Sequence, residues 1–496
     1  QVVYPDDLDL LLVELELLST GRKVFHNLHY RWMGKNHETI WINCRGRVLS
    51  DPEDGSPRYL VGCINEIGAK QKADNVSGLL GEYSLKIFYE SRSPKLPQGF
   101  LLRIGIDDFK NINESHGNEY GDYILRRTAQ CIEENIGPEQ SLFHIVADEF
   151  AVVDFSGGSV QQAEDLFHEI KKSIYAFIEQ NQYKAVYTVS GGIVKNGDVD
   201  NSFENAMKLS EFALSEAKER GKNSCYVFEE EEYEDYLKSR TLLRQLHHAV
   251  NNGFEGFEAY FQPLVNAANG ELTGAETLLR FHSPEGGMVS PGEFIPILEE
   301  SGLIIPVGRW VLRQALDACR EWQKILPEFK VNVNLSYVQV LKSRVLTDVR
   351  RIVDEFGVKP SSVCIELTES GYLEENERFD KVWNGLKEYG VLLALDDFGT
   401  GYSNLRCLSD LKPAYIKIDR SFTLKALNRE YEYRLLNHIV EMSHSLGLHV
   451  CVEGIETEGE LTKAKQTEPD YIQGFLFGKP CSRAEFTQKF FTKQAG

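Results

Sequence analysis

The chain has 496 residues, 42% hydrophobic and 26% charged, the balance of an ordinary globular protein of about three domains. No apolar run approaches the ~18 residues of a membrane span, and a formal charge of -21 argues against binding a nucleic-acid polymer. A small anionic ligand remains compatible, because bound divalent cations reverse a local field. The chain begins at Gln1 without a methionine or signal-like segment, so it reads as cut from something longer that leaves room for an upstream anchor. Nine cysteines form no CxxC pair, and several, such as Cys364 and Cys451, sit inside apolar runs. That usage points to reduced, buried thiols in a cytoplasmic protein.

Residues 1–72 predict a helix followed by strands. Asp6 and Asp7 precede an apolar stretch through Leu10, Leu11, Leu15 and Leu18, the order of a cap and a helix. Alternating runs follow at 28–32, 40–42 and 59–63, with a Pro/Gly/Asp-rich turn at 51–57. Residues 75–228 mix helix and strand. The acidic run at 229–236 reads as solvated linker surface, leading into a helix with Leu242, Leu243, Leu246 and Val250. We take 229–254 as this linker and helix.

From 255 to 492 the texture changes. Short apolar runs fall at 260–265, 276–281, 331–335, 363–367, 391–395, 414–418, 449–452 and 471–475. Helix-length amphipathic segments separate most of them. Eight such strands predict a (β/α)8 barrel, whose C-terminal strand ends converge on one mouth. Those ends carry Asn334, Glu366, Asp396, Asp397, Lys417, Asp419, Glu453 and Gln473, and the run 276–281 adds Glu276 and Arg280. So many carboxylates need compensation, since like charges raise one another's pKa. Hard divalent cations supply it through oxygen ligands. The adjacent Asp396 and Asp397 suit a two-metal site, with ions about 3.5–4 Å apart, of the kind that hydrolyses phosphate diesters. The alternative for each acid alone is a solvated loop residue or a helix cap.

These segments resemble the EAL family of cyclic di-GMP phosphodiesterases over about residues 237–492. The resemblance is carried by YFQPLV, ETLLRF, SPGEFIPILEESGLI, VNVNLS, IELTES, LDDFGTGYSNL, YIKIDRSF, VEGIET and YIQGFLFGKP. It implies a TIM-like barrel with one antiparallel strand and a site for two magnesium or manganese ions. Glu276, Asn334, Glu366 and Asp396 would hold the first ion. Asp396 would bridge to the second, shared by Asp397 and supported by Gln473. Lys417 and Glu453 would act on the nucleophilic water. Arg280 would contact phosphate, Gln262 would line the cleft, and Glu369 would anchor the loop 398–404, with Asp419 behind it. Thr277 departs from the family's usual alanine. The resemblance also implies a homodimer, and hydrolysis of cyclic di-GMP to linear pGpG. A non-catalytic cyclic di-GMP receptor is the alternative, opposed by the retention of Glu276, Asn334 and Glu453.

Residues 75–228 resemble the GGDEF family, an α/β cyclase-like fold, through FLLRIGIDDFKNINESHGNEYGDYIL, FHIVADEFAVV, VSGGI and FALSEAKERGKNSCYVF. The signature reads Val146-Ala147-Asp148-Glu149-Phe150 in place of two leading glycines, and the family's metal-binding aspartate falls at Gly105. The domain is therefore expected to lack cyclase activity and to serve as a regulatory module. Asn113 and Asp122 match the family's guanine contacts, and Lys218 and Lys222 its phosphate contacts, which implies an allosteric GTP site. Residues 1–72 resemble the C-terminal half of a PAS domain, a truncated α+β fold, through VYPDDLDLL, TIWINCRGRVL and GSPRYLVGCINEI.

Overall fold

The computed structural model describes residues 2–33, 39–51, 56–67, 74, 76–92, 98–181, 186–198, 202–368, 377–399 and 405–492. It divides into two compact units, Gln1–Glu234 and Asp235–Gly496.

The first unit opens with a helix, Leu8–Ser19, and an antiparallel meander of Phe25–Met33, Thr39–Ser50 and Pro57–Ile67. The helix departs from its expected pattern. Asp7 does not cap it; its carboxylate accepts the Arg31 backbone N–H at 2.8 Å and the guanidinium at 2.6 and 2.9 Å. A bidentate guanidinium is a stronger partner than a helix amide. Leu10 and Leu15 are exposed, whereas Leu18 is buried.

A five-stranded sheet follows, in the order Gln140–Val146, Glu149–Asp154, Phe100–Ile106, Val189–Lys195, Cys225–Val227. Its central strand is buried on both faces. Leu102, Ile104 and Ile106 pack toward helices Asn118–Asn135 and Val160–Gln180. Leu101 packs on the other face, toward helices Glu82–Arg92 and Phe203–Glu219. The acidic run is the start of helix Glu230–Asn251, where the N-terminal dipole favours carboxylates. Glu232 is not merely solvated: Tyr226 donates to it at 2.8 Å, and Arg220 pairs with it.

In the second unit eight strands close a barrel: β1 (Phe257–Asn266), β2 (Leu272–Ser283), β3 (Lys330–Asn334), β4 (Val363–Thr368), β5 (Leu392–Phe398), β6 (Tyr415–Ile418), β7 (His449–Val452) and β8 (Tyr471–Gln473). Strand β1 runs antiparallel to both neighbours, β2 and β8; the remaining contacts between barrel strands are parallel.

Alternation along each strand divides the side chains. One set faces outward: Ala275, Val331, Val333, Ile365, Leu393, Leu395, Ile416, Val450 and Ile472 join the core with helix residues such as Val311, Leu316, Ile352, Trp383 and Leu436. The other set is polar and points inward: Gln262, Glu276, Asn332, Glu366, Asp396, Lys417 and Gln473 are all buried. The apolar half of each strand thus fixes the barrel, and a one-residue slip would turn the acids into the core. Among the described residues no helix is long and apolar enough to cross a membrane, and no cysteine is paired.

Candidate active site

Strand register sets the layers of the site. Asn334 lies beside Glu366 across β3 and β4, and Thr368 beside Asp396 across β4 and β5. The β5–β6 ladder is interrupted between Leu395 and Phe398, and Asp397 takes a left-handed φ of 57°. An irregularity at a barrel rim re-aims side chains, and aspartate tolerates this backbone better than most residues. Two consecutive aspartates thereby both border the mouth.

Lys417 is the hub. Its fully buried ammonium lies 3.1 Å from Glu276, 3.1 Å from Glu366, 3.3 Å from Asp396 and 2.8 Å from Glu453. Side-chain amides complete the ring. Asn334 donates to Glu276 at 2.9 Å, and Asn332 to Glu366 at 2.7 Å. Gln473 donates to Glu276 at 2.7 Å and to Gln262 at 3.1 Å.

Electrostatics shows which charges remain uncompensated. Burial raises Glu276, yet the Lys417 charge and hydrogen bonds from Gln473, Lys417 and Asn334 outweigh it and hold its carboxyl below the ordinary value. Glu366 is held well above the carboxylate range by burial, against the pull of Lys417. Burial pushes Glu453 up to about 8. Asp397 rises to about 6, through burial and then the charges of Asp396 and Asp419. With every carboxyl ionised, four carboxylates around one ammonium would leave three negative charges and Asp397 would make four; the raised values of Glu366, Glu453 and Asp397 are the metal-free site's answer to that excess.

The donor set fits hard divalent cations. Oxygens of Glu276, Glu366 and Asp396 lie within 4.8 Å of one another and are all buried. Asn334 and Asp397 border the same space and offer further oxygens.

Most of the expected set is brought together: Gln262, Glu276, Asn334, Glu366, Asp396, Lys417, Glu453 and Gln473 form one connected network, with Asp397 at its rim. Asp419 also caps helix Arg420–Asn428, accepting the Ser421 amide at 2.7 Å. Arg280 sits higher at the mouth, over the Tyr260 ring at 5.6 Å, and lines a cavity of about 880 Å³ with Asn334, Leu279, Ile295 and Tyr337. Thr277 lines the same cavity and is buried, and its hydroxyl has no partner among the described residues. Glu369 and residues 400–404 lie outside the described residues. Sequence reasoning missed Asn332, whose signal was its place two residues before Asn334, on the same inward face of β3.

The four expected GTP contacts lie in the first unit. Lys222 pairs with Asp108 at 2.8 Å, and Lys218 lies 4.0 Å from Asp148. Asn113 packs so closely on Gly121 that any side chain at 121 would collide with it. Asp122 is half-buried on helix Asn118–Asn135. At the altered signature, Ala147 keeps a left-handed φ of 51°.

Residues 243–480 match the EAL domain, residues 84–224 the diguanylate cyclase GGDEF domain, and residues 1–64 the PAS fold. The chain carries a PAS-fold domain, a GGDEF domain and an EAL domain, in that order along the sequence. The cyclic di-GMP phosphodiesterase PdeR of Escherichia coli K12 is 29% identical over 455 residues, which cover 91% of this chain and 67% of that protein. A solved structure of the PaMucR phosphodiesterase in complex with c-di-GMP is 32% identical, with a TM-score of 0.47, covering 50% of this chain and 99% of that one. The EAL enzyme Bd1971 in its cGMP-bound form is 27% identical, with a TM-score of 0.50, covering 61% of this chain and 80% of that one. The chain spans about half the length of several curated relatives it matches.

Proposed function

We propose that the barrel hydrolyses cyclic di-GMP to linear 5'-pGpG with two divalent cations, magnesium or manganese. The observation that carries this reading is the buried ring of Glu276, Glu366, Asp396 and Glu453 around Lys417 at the barrel mouth. The relative PdeR, named a cyclic di-GMP phosphodiesterase, supports the same substrate.

Glu276, Asn334, Glu366, Asp396 and Asp397 would hold the cations. When bound, the cations lower the pKa of a coordinated water and stabilise charge on the phosphate. Glu453, which the positive charge of the bound cations would return to its ionised form, would accept the proton of the attacking water, and Lys417, 2.8 Å from it, would hold that water in line with the phosphorus. Water oxygen adds to phosphorus, the bond to the 3'-oxygen breaks, and that oxygen leaves as a hydroxyl by taking a proton from solvent, while Glu453 gives the proton it accepted back to solvent. The retained phosphate stays on the 5'-oxygen. Arg280 meets the phosphate, while Gln262 and Gln473 orient the ligand.

The test is chromatography of nucleotides after incubation with cyclic di-GMP and magnesium or manganese. Accumulation of pGpG, stopped by EDTA, supports the reading. Retention of cyclic di-GMP without turnover favours the receptor alternative. Incubation with GTP should yield no cyclic di-GMP, because Gly105 and Val146-Ala147 depart from the cyclase pattern.

The same reading assigns the GGDEF domain a regulatory role, with GTP held by Asn113, Asp122, Lys218 and Lys222, and pairs two chains about a two-fold axis. Calorimetry with GTP in the native chain and in Asn113→Ala/Asp122→Ala tests the first. Light scattering of the active protein tests the second.

A further inference from the structure

Around Gly105 the first unit holds three acids, and each already has a partner from the chain. Asp107 is buried and accepts from the Thr188 hydroxyl at 2.6 Å, the Ser190 hydroxyl at 2.7 Å and the Asn223 amide at 3.2 Å. Glu149 sits opposite Gly105 in the sheet register and accepts from the buried Arg103 at 2.7 Å. Asp148 faces Lys218 at 4.0 Å.

The space beside Gly105 is also taken. A Cβ placed on Gly105 would lie 2.9 Å from the Lys218 ammonium nitrogen and 3.2 Å from Leu214. An aspartate here, as the GGDEF family carries, would project into the volume that Lys218 fills. A carboxylate ligand is therefore missing, a positive charge stands in its space, and the remaining acids are engaged. The residues do not fit a divalent cation, whose tight binding requires several free oxygens.

We propose that the Lys218 ammonium is a built-in cation that replaces the divalent ion of the GGDEF fold in this chain, so that the first unit takes up no magnesium or manganese. Lys218 lies in the last turn of helix Phe203–Glu219, which packs on the sheet carrying Gly105 and so fixes the charge in place. The exchange couples two positions: losing the side chain at 105 makes room for the lysine, and the lysine compensates Asp148 without a metal. Lys218 is also one of the four proposed GTP contacts, so one charge would serve both Asp148 and the nucleotide phosphates, and GTP binding that ignores EDTA would agree with it.

The probe is manganese alone, followed by electron paramagnetic resonance, on the full chain carrying Glu276→Gln and Asp396→Asn to remove the barrel donors. That chain should bind no manganese through the first unit. Adding Lys218→Met should open a weak site that Asp148→Asn abolishes. Gly105→Asp/Lys218→Met should bind roughly 10- to 100-fold tighter, the range by which one supporting group changes metal affinity. Circular dichroism and the melting transition confirm folding, and Lys218→Met alone, which adds no side chain beside the helix, serves if the double variant does not fold. Manganese bound with Lys218 intact and removed by Asp148→Asn would overturn the proposal. So would folded variants lacking Lys218 that take up none.

Discussion

At the scale of single residues, the site is a charge problem solved by position. Lys417 is the one ammonium within contact of Glu276, Glu366, Asp396 and Glu453 among the described residues. Lys417→Met should therefore destabilise the metal-free barrel by about 3–5 kcal/mol, the cost of leaving buried charges without their partner. Urea unfolding in EDTA measures this, and manganese should recover part of the loss by supplying the missing charge. Glu276→Gln keeps the volume and removes the carboxylate. It should abolish pGpG formation while the melting temperature stays near native, and persistent turnover would exclude Glu276 as a metal ligand. Glu366, Asp396 and Glu453 were legible in the sequence because each lies at or near the end of an apolar run, where a barrel gathers its functional groups, whereas Glu276 opens its run, 276–281. Asn332 was not, because a polar residue inside a strand is ambiguous until its face is known. Lys417 was expected to act on water, but its contact with four carboxylates from four separate elements is a tertiary fact that no local pattern encodes.

At the scale of elements, short apolar runs located all eight strands with shifts of a few residues, since the outward half of each is a nearly unbroken set of Val, Ile, Leu and Ala. The antiparallel sense of β1 came only through family resemblance, because hydrophobic period does not carry direction. The first helix begins directly after Asp7, as expected, but the Asp7 carboxylate does not cap it, because it found a guanidinium in the following strand. Two turns give tests. Ala147 holds a φ of 51°, a region costly for a Cβ-bearing residue. Ala147→Gly should stabilise the first unit by roughly 1 kcal/mol in denaturant unfolding, without adding cyclase activity. Asp470 joins three elements by accepting the Val450 amide at 2.8 Å, His449 at 2.9 Å and His444 at 2.9 Å. Burial raises its carboxyl, but these bonds prevail and hold it below the usual range. A lowered folded-state pKa adds stability above the unfolded value of about 3.9, lost as pH falls through the folded one. Asp470→Asn should therefore cost about 2 kcal/mol at pH 7, in the range of hydrogen bonds to charged groups, and the gap should close at acid pH. A gap independent of pH would show that the carboxylate charge contributes nothing.

At the scale of the whole molecule, the net charge of -21 and the proposed substrate have the same sign, because each of the two phosphates of cyclic di-GMP carries a negative charge. The cations at the mouth would neutralise the deficit of the carboxylate ring, but their reach is local. Farther out the approaching ligand meets the field of the whole acidic chain, which repels it. Salt screens that long-range term first: the Debye length falls from about 30 Å at 0.01 M to about 8 Å at 0.15 M ionic strength. Interactions inside the water-poor mouth are screened far less. With manganese held saturating, kcat/KM should therefore rise several-fold as potassium chloride increases over this range, while kcat stays nearly constant. A series with a neutral osmolyte at matched osmolality separates screening from crowding. If kcat/KM instead falls with salt, the cation-bearing mouth dominates encounter, and the acidic surface acts on solubility alone.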